Sequence, residues 1–217
     1  MLEALLAATD FTRDAQEILR DPSNFNWSTV TLLALVTYVY AVEVEKRNWS
    51  AILAGVALWL VDWINEVVNA LVLHFTDRAA VWTATGDTSY QILIGLNIEI
   101  SFMFLIAGVV FVKFLPPDPA QKLLGVPNRV TNVIGFSIFS VAVEELLRAA
   151  GHFHWEYWWW NWYSPPLIVL LGYVTFYAMA AWVYDMKDRS RQLKVVGTLA
   201  AVDVALIVAF GPIAGWI

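Results

Sequence analysis

The chain contains no cysteine, and only 15% of its 217 residues carry a charge. The missing thiols exclude structural disulfides, cysteine nucleophiles and thiolate metal sites. The 13 Lys and Arg residues are outnumbered by 19 Asp and Glu, and the net charge of −6 argues against nucleic acid as a partner. The sequence also lacks a basic start followed by an apolar stretch, so we expect no cleaved signal peptide.

Apolar residues, by contrast, are abundant. They make up 59% of the chain, against roughly 45–50% in soluble proteins. Stretches near 20 apolar residues predict membrane-spanning helices. We therefore predict an all-α integral membrane protein, with one six-helix transmembrane domain over residues 28–217. The predicted spans are 28–44, 51–75, 90–114, 130–150, 164–184 and 195–216.

The N-terminal segment has a different pattern. Residues 2–20 contain too many charges for a span, yet their apolar residues recur at helical spacing. This pattern predicts an amphipathic helix lying along the membrane interface. Residues 1–27 are accordingly expected to form this helix and a connector.

The distribution of basic residues predicts the orientation of the spans. The first, third and fifth loops between spans hold nine Lys and Arg, whereas the N-terminal segment and the second and fourth loops hold four. The positive-inside rule then places the odd loops in the cytoplasm. We expect the protein to lie in the plasma membrane, with both termini outside the cytoplasm.

A polar stripe in the second span is the strongest sign of function. Asp62, Asn65, Glu66 and Asn69 fall within roughly a 100° arc of one helix face. Ionisable residues in hydrocarbon are costly and usually face a bundle interior or a wet cavity. Polar side chains also hold helices together. Two carboxylates within one turn repel each other, however, which favours a functional role.

Further carboxylates are expected at the same depth. Glu99 lies in the outer half of the third span, and Glu144 and Glu145 lie near the outer end of the fourth. The i,i+4 spacing of Glu144 and Arg148 predicts an ion pair, whereas Glu145 has no local partner.

These residues lead to a predicted site. We expect Glu66 and Glu99 to face a shared cavity as an acid–base pair, with Asp62 as a third catalytic residue. Aromatic side chains deep in the spans are expected to line an apolar wall beside them. The predicted substrate-binding residues are Asn69, Glu144, Glu145, Trp59, Trp63, Tyr173, Tyr177 and Asp203.

Whether a metal binds is left open by the sequence. The three histidines sit at the predicted outer boundary of the membrane, and their spacing matches no metal-binding signature. If a divalent metal is present, the side chains expected to hold it are His74, His152, His154 and Glu156. The leading hypothesis requires no cofactor, and metal-assisted hydrolysis or oxidation is its variant if the histidines take part.

Three functions remain in competition, because no motif resembles a known family closely. The leading hypothesis is a small membrane enzyme that acts on a lipid-like, isoprenoid or sterol-like molecule in the outer half of the bilayer. Carboxylate acid–base chemistry would drive cyclisation, isomerisation or hydration, and aromatic faces would stabilise a developing cation. The alternatives are a proton- or cation-coupled transporter and a non-catalytic subunit of a membrane complex. An apolar cavity that opens sideways indicates the enzyme, and a polar path to both surfaces indicates the transporter.

Overall fold

The protein, seen here as a computed structural model, is described over residues 8–123 and 125–217. Its helices are α1 (Asp10–Glu17), α2 (Trp27–Glu45), α3 (Trp49–Thr76), α4 (Ile98–Lys113), α5 (Asn128–Ala149), α6 (Pro165–Asp185) and α7 (Arg189–Ile213). Its strands are β1 (Trp82–Ala84), β2 (Gln91–Leu93), β3 (Leu96–Asn97), β4 (Lys122–Leu123), β5 (Val126–Pro127) and β6 (Phe153–Trp155). The strands pair antiparallel as β1–β6, β2–β3 and β4–β5.

Within the part of the chain that the structure describes, five helices are long and apolar enough to cross a membrane, namely α2, α3, α5, α6 and α7. The predicted span at 90–114 is helical only from Ile98, and α4 has 16 residues. The β2–β3 hairpin occupies the segment before it. Asn97 ends the hairpin and caps α4, because its side chain accepts a hydrogen bond of 2.8 Å from the Ile100 N–H.

The six long helices run between two ends of the molecule. One end holds the β1–β6 and β2–β3 ribbons and both described terminal segments, and we call it the ribbon end. At the opposite end, ion pairs join neighbouring helices, with Glu43 to Lys113 at 2.5 Å and Arg129 to Asp185 at 2.7 Å. The N-terminal segment and the second and fourth loops therefore share one end, as the spacing of the spans predicts.

Helix α3 is the centre of the bundle, packing against α4, α6 and α7. Its first half presents small buried side chains such as Ala51, Ala54 and Ala57. Gly108 of α4 lies directly against Gly55 of α3, where an added Cβ would come within 2.7 Å of the Gly55 Cα. Close packing of α3 and α4 therefore depends on glycine at this crossing.

Helix α1 differs from the predicted N-terminal helix. It covers Asp10–Glu17 of the predicted 2–20, and residues 2–7 lie outside the described part of the chain. Thr12 and Ala15 are fully buried, and Ala15 packs in a cluster with Ala80 and Ile94 of the ribbon end. One face of α1 therefore rests on protein, while its expected place along the membrane interface stays a prediction.

Candidate functional site

The β1–β6 ribbon covers the ribbon end of a cavity inside the bundle. Trp82 of β1 pairs directly with Trp155 of β6 in the antiparallel register. Thr83, Ala84 and Phe153 of the same ribbon are buried. The two strands come from loops that flank different helices, so the ribbon links the end of α3 to the end of α5.

Asn69 of α3 fixes the position of β1. Its side-chain oxygen accepts hydrogen bonds from the N–H groups of Val81 at 2.7 Å and Trp82 at 3.1 Å. Its amide nitrogen donates to the Trp82 carbonyl at 2.8 Å. Asn69 is fully buried, and buried backbone groups need hydrogen-bond partners. Its side chain therefore supplies the hydrogen bonds that a neighbouring strand would otherwise make with this part of β1.

Two matched contacts follow from the pairing of Trp82 with Trp155. The Trp82 indole N–H donates to Glu66 Oε1 of α3 at 2.8 Å. The Trp155 indole N–H donates to Glu144 Oε1 of α5 at 2.7 Å. One cross-strand residue pair of the ribbon thus presents two indoles to two carboxyl groups on different helices.

A cavity of about 570 Å³ lies below the ribbon. Its wall is mainly apolar, with contributions from α2 to α6, the ribbon and the loop after it. Several apolar residues of its wall are exposed although they lie within helices, among them Leu35, Met103 and Phe139. The cavity therefore opens at the side of the bundle, where lipid tails would lie.

Aromatic packing closes the other end of the cavity. Phe111 of α4 lies 5.2 Å from the Phe136 ring of α5 and 4.8 Å from the Tyr177 ring of α6. Tyr177 also shares a hydrogen bond of 2.7 Å with Ser140. Aromatic rings therefore lie between the cavity and the opposite end.

The structure brings six of the predicted site residues to this cavity. Asp62 and Glu66 line the cavity from one face of α3, and Glu144 lines it from α5. Tyr173 donates a hydrogen bond of 2.8 Å to Glu144 Oε2. The six residues that line the wall are Asp62, Glu66, Asn69, Glu144, Tyr173 and Tyr177.

Glu99 does not pair with Glu66 in a shared cavity, and that expectation needs correction. Glu99 lies in the first turn of α4, outside the cavity wall. Its carboxylate accepts hydrogen bonds of 2.5 Å each from the hydroxyls of Thr29 and Thr88, and one of 3.2 Å from the Ser89 N–H. These contacts fasten the start of α2 to the loop before β2.

The predicted partners of Glu144 and Glu145 are also reversed. Arg148 forms a two-point ion pair with Glu145, at 2.6 and 2.8 Å, rather than with Glu144. Glu145 is partly exposed and does not belong to the cavity wall, whereas Glu144 faces inward. A helix places adjacent residues about 100° apart, so only one of the two can point into the bundle.

Trp59, Trp63 and Asp203 lie elsewhere in the core than expected. None of the three belongs to the wall of the cavity among the described residues. The Trp59 indole donates to the Ser101 hydroxyl at 2.8 Å, between α3 and α4. Asp203 of α7 is buried, and neither of its carboxyl oxygens has a hydrogen-bond partner among the described residues.

The four possible metal ligands do not converge. Within the described residues, no three His, Asp or Glu side chains group as a metal site. His74 stacks on Trp216 at 4.8 Å, and His154 stacks on Phe11 at 3.6 Å. His152 packs beside Gly86.

Contacts with the segment around α1 set the ionisation of two groups outside the spans. Burial lowers the pKa of His154, the residue beneath Phe11. Burial raises the pKa of the Glu156 carboxyl, although a hydrogen bond of 2.8 Å from the Thr9 hydroxyl opposes that shift. Through the stacking of Phe11 on His154 and the hydrogen bond from Thr9 to Glu156, both groups hold α1 against the ribbon end.

Two functional candidates were not predicted from the sequence, namely Trp82 and Trp155 as partners of carboxyl groups. Trp155 has the position of an ordinary aromatic belt residue, and Trp82 lies in a loop. A signal was present in the short runs Val81-Trp-Thr-Ala84 and Phe153-His-Trp155, which are rich in residues that favour strands. Pairing of two such short runs depends on the bundle that brings them together.

Comparison with known proteins agrees with this architecture. Residues 9–212 match the sequence model of a family described as an uncharacterized membrane protein family. The chain belongs to this membrane protein family. Together with the five apolar helices, membership in the family shows an integral, multi-pass membrane protein.

Two relatives come from Archaeoglobus fulgidus, and both are described as uncharacterized proteins. One is 48% identical over 209 residues, which cover 96% of this chain and 99% of the relative. The other is 42% identical over 53 residues, which cover 24% of this chain and 95% of the relative. No solved structure shows a significant match to the chain.

Proposed function

We propose that this protein is a membrane enzyme that acts on a lipid-like, isoprenoid or sterol-like molecule held in the cavity below the β1–β6 ribbon. The observation that supports this function is an apolar, laterally open cavity of about 570 Å³ with Glu66 and Glu144 in its wall. A ligand site of this kind is usually apolar with a few oriented polar groups. The substrate enters from the bilayer between helices, with its reactive end toward the ribbon.

Glu66 and Glu144 replace the pair predicted from the sequence. Both oxygens of Glu144 accept hydrogen bonds, from Trp155 and Tyr173, as suits an ionised carboxylate. Glu66 accepts from Trp82 at one oxygen, and its other oxygen is buried without a partner. Glu66 is therefore assigned as the proton donor, and Glu144 as the carboxylate that faces the charge formed on the substrate.

The chemistry begins with proton transfer to a carbon–carbon double bond. The π electron pair of the double bond forms a new C–H bond with the proton from Glu66. The other carbon of the double bond is left as a carbocation. The rings of Trp82 and Trp160 lie in the cavity wall, where a π face stabilises positive charge. Return of a proton from a neighbouring carbon to the Glu66 carboxylate completes an isomerisation and restores the acid. Attack by an internal double bond closes a ring and moves the positive charge to another carbon, which then loses a proton to Glu66 in the same way. Addition of water to the carbocation, followed by proton loss to Glu66, gives an alcohol.

We further propose that α4 crosses the membrane as a sixth span. It begins beside the β2–β3 hairpin at the ribbon end and finishes with Lys113, which pairs with Glu43 at the opposite end. A helix of 16 residues is about 24 Å long, which is short for the hydrocarbon core of about 30 Å. Its start is covered by the hairpin, so no unpaired backbone meets lipid there.

Transport is the second candidate, and Asp203 is the observation that favours it. This buried carboxyl of α7 has two unpartnered oxygens deep in a span, as in groups that bind and release protons. The aromatic closure formed by Phe111, Phe136 and Tyr177 opposes a polar path to the opposite end. The enzyme is therefore the better-supported function.

The experiment uses purified protein in nanodiscs, incubated with a total lipid extract of Archaeoglobus fulgidus. Mass spectrometry coupled to chromatography compares the lipids before and after incubation. We expect the wild type to deplete one lipid and form a product of equal mass or of one added water. The Glu66→Gln variant keeps an acceptor for Trp82 but loses the acid, so its turnover should fall about 10²-fold or more.

Two further variants alter adjacent carboxylates of α5. Glu144→Gln changes the carboxylate in the cavity wall, and Glu145→Gln is its matched control outside the wall. The first should abolish turnover, because the neutral amide removes the negative charge that faces the carbocation, and the second should leave it unchanged. Unchanged lipids with the wild type, or full turnover in the Glu66→Gln variant, would overturn the proposal.

A further inference from the structure

The cavity has an uncompensated acidic end. Three carboxyl groups line it, those of Asp62, Glu66 and Glu144. Among the described residues of its wall there is no Lys, Arg or His to balance them. The nearest basic side chain along α5, that of Arg148, is held by Glu145 outside the wall.

Two of these carboxyl groups also have an oxygen that bonds to no group in the described part of the chain. These oxygens are Asp62 Oδ2 and Glu66 Oε2, on side chains that are only 2% and 3% exposed. A buried acceptor left unsatisfied costs about 1–3 kcal/mol. Both residues lie about one turn apart on the face of α3 that lines the cavity.

Aromatic rings surround the same end of the cavity. Trp82 stacks on Trp160 with 5.4 Å between ring centroids, and Phe104 stacks on Tyr173 at 6.2 Å. All four belong to the cavity wall. Carboxylates with free oxygens beside aromatic faces are the surroundings that recognise an alkylammonium group.

We infer that the ribbon end of the cavity binds positive charge, and that its ligand is a cationic amphiphile with a protonated amine at the end of a long apolar chain. The ammonium N–H donates to the carboxylate of Asp62 or Glu66 in the cavity wall, and the chain extends toward the lateral opening near Phe139. This inference rests on the proposed function, because such an amine has the charge and shape of the carbocation that Glu66 would form.

Binding of two probes of equal chain length tests the inference. N,N-dimethyldodecylamine carries a positive charge at neutral pH, whereas 1-dodecanol is neutral. Isothermal titration calorimetry of the full chain in nonionic detergent gives both dissociation constants. We expect the amine to bind at least about tenfold more tightly than the alcohol, as for a charge-assisted hydrogen bond in a dry site.

Three variants separate charge recognition from general affinity for apolar chains. Glu66→Gln and Asp62→Asn should each weaken amine binding about tenfold and leave alcohol binding unchanged. Glu145→Gln removes a carboxylate of the same bundle end outside the wall, and it should alter neither. Thermal unfolding of each variant identifies any that has failed to fold, and the remaining one of Glu66→Gln and Asp62→Asn then decides.

The outcomes distinguish this inference from the proposed function. Equal, saturable binding of amine and alcohol would overturn the inference and leave a lipid cavity in place. Tight amine binding that survives both carboxyl substitutions would overturn it as well. Amine binding that depends on Glu66 and Asp62, without conversion of any lipid, would support the inference and count against the enzyme.

Discussion

Asn69 is the residue on which the position of the ribbon depends. It is fully buried and makes three hydrogen bonds to the backbone of Val81 and Trp82. An alanine here leaves two buried N–H groups without an acceptor, which costs about 3 kcal/mol. We therefore expect Asn69→Ala to lower the Tm of the detergent-solubilised protein by about 6 °C or more.

Asn65 provides the control for that prediction. It also lines the cavity on the same face of α3, but its side chain makes no hydrogen bond with another described residue. Asn65→Ala should therefore leave the Tm nearly unchanged in the same thermal unfolding assay. A similar loss of stability in both variants would show that the cavity wall, and not the ribbon contact, is what Asn69 supports.

The sequence predicts individual residues well where a single helix decides the outcome. Asp62, Glu66 and Asn69 reach one cavity because their spacing places them on one face of α3. Glu99 was wrongly paired because its partners, Thr29 and Thr88, lie in other segments of the chain. Neighbours distant in sequence leave no periodic signal, so a hydrophobicity pattern cannot distinguish a fastened carboxylate from a free one.

Contacts between helices can be tested at the crossing of α3 and α4. A Cβ on Gly108 would come within 2.7 Å of the Gly55 Cα and 3.0 Å of its carbonyl oxygen. Backbone atoms cannot move aside as a side chain can, so Gly108→Ala should push the helices apart. We expect a loss of about 1–3 kcal/mol in the free energy of unfolding, measured as a lower Tm.

Gly135 of α5 is the matched position for comparison. A Cβ there meets no described atom within 4 Å. Gly135→Ala should be neutral or stabilise the helix by up to about 1 kcal/mol, since alanine favours helix more than glycine. Equal destabilisation by both substitutions would contradict the close crossing of α3 and α4.

The boundaries of elements show where hydropathy stops being informative. The predicted spans at 28–44 and 51–75 agree closely with α2 and α3, because uninterrupted apolar runs continue to the ends of those helices. The segment before Ile98 is equally apolar, yet it forms the β2–β3 hairpin. An apolar sequence indicates burial, but it does not distinguish burial in protein from burial in lipid. The backbone conformation of the segment before Ile98 depends instead on the cap at Asn97 and on packing against α3.

The orientation of the whole molecule remains a prediction from nine basic residues against four. Asp87 at the ribbon end and Gln121 at the opposite end are both exposed. Because the chain has no cysteine, a single introduced thiol reports one position without background. We expect an impermeant thiol reagent to label the Asp87→Cys variant in intact cells, and the Gln121→Cys variant only after lysis. The reverse pattern would invert the topology and place the cavity in the cytoplasmic leaflet.

The pairing of β1 with β6 has a consequence for how the protein is made. Both α4 and α5 separate these two strands in the chain, so β1 leaves the ribosome long before its partner exists. Until β6 is synthesised, β1 has an unpaired edge, and α3 carries Asp62 and Glu66 without the helix that completes their cavity. A nascent chain halted before Phe153 therefore presents an open strand edge and carboxyl groups without the helix that shields them from lipid, and both features favour aggregation of the unfinished chain.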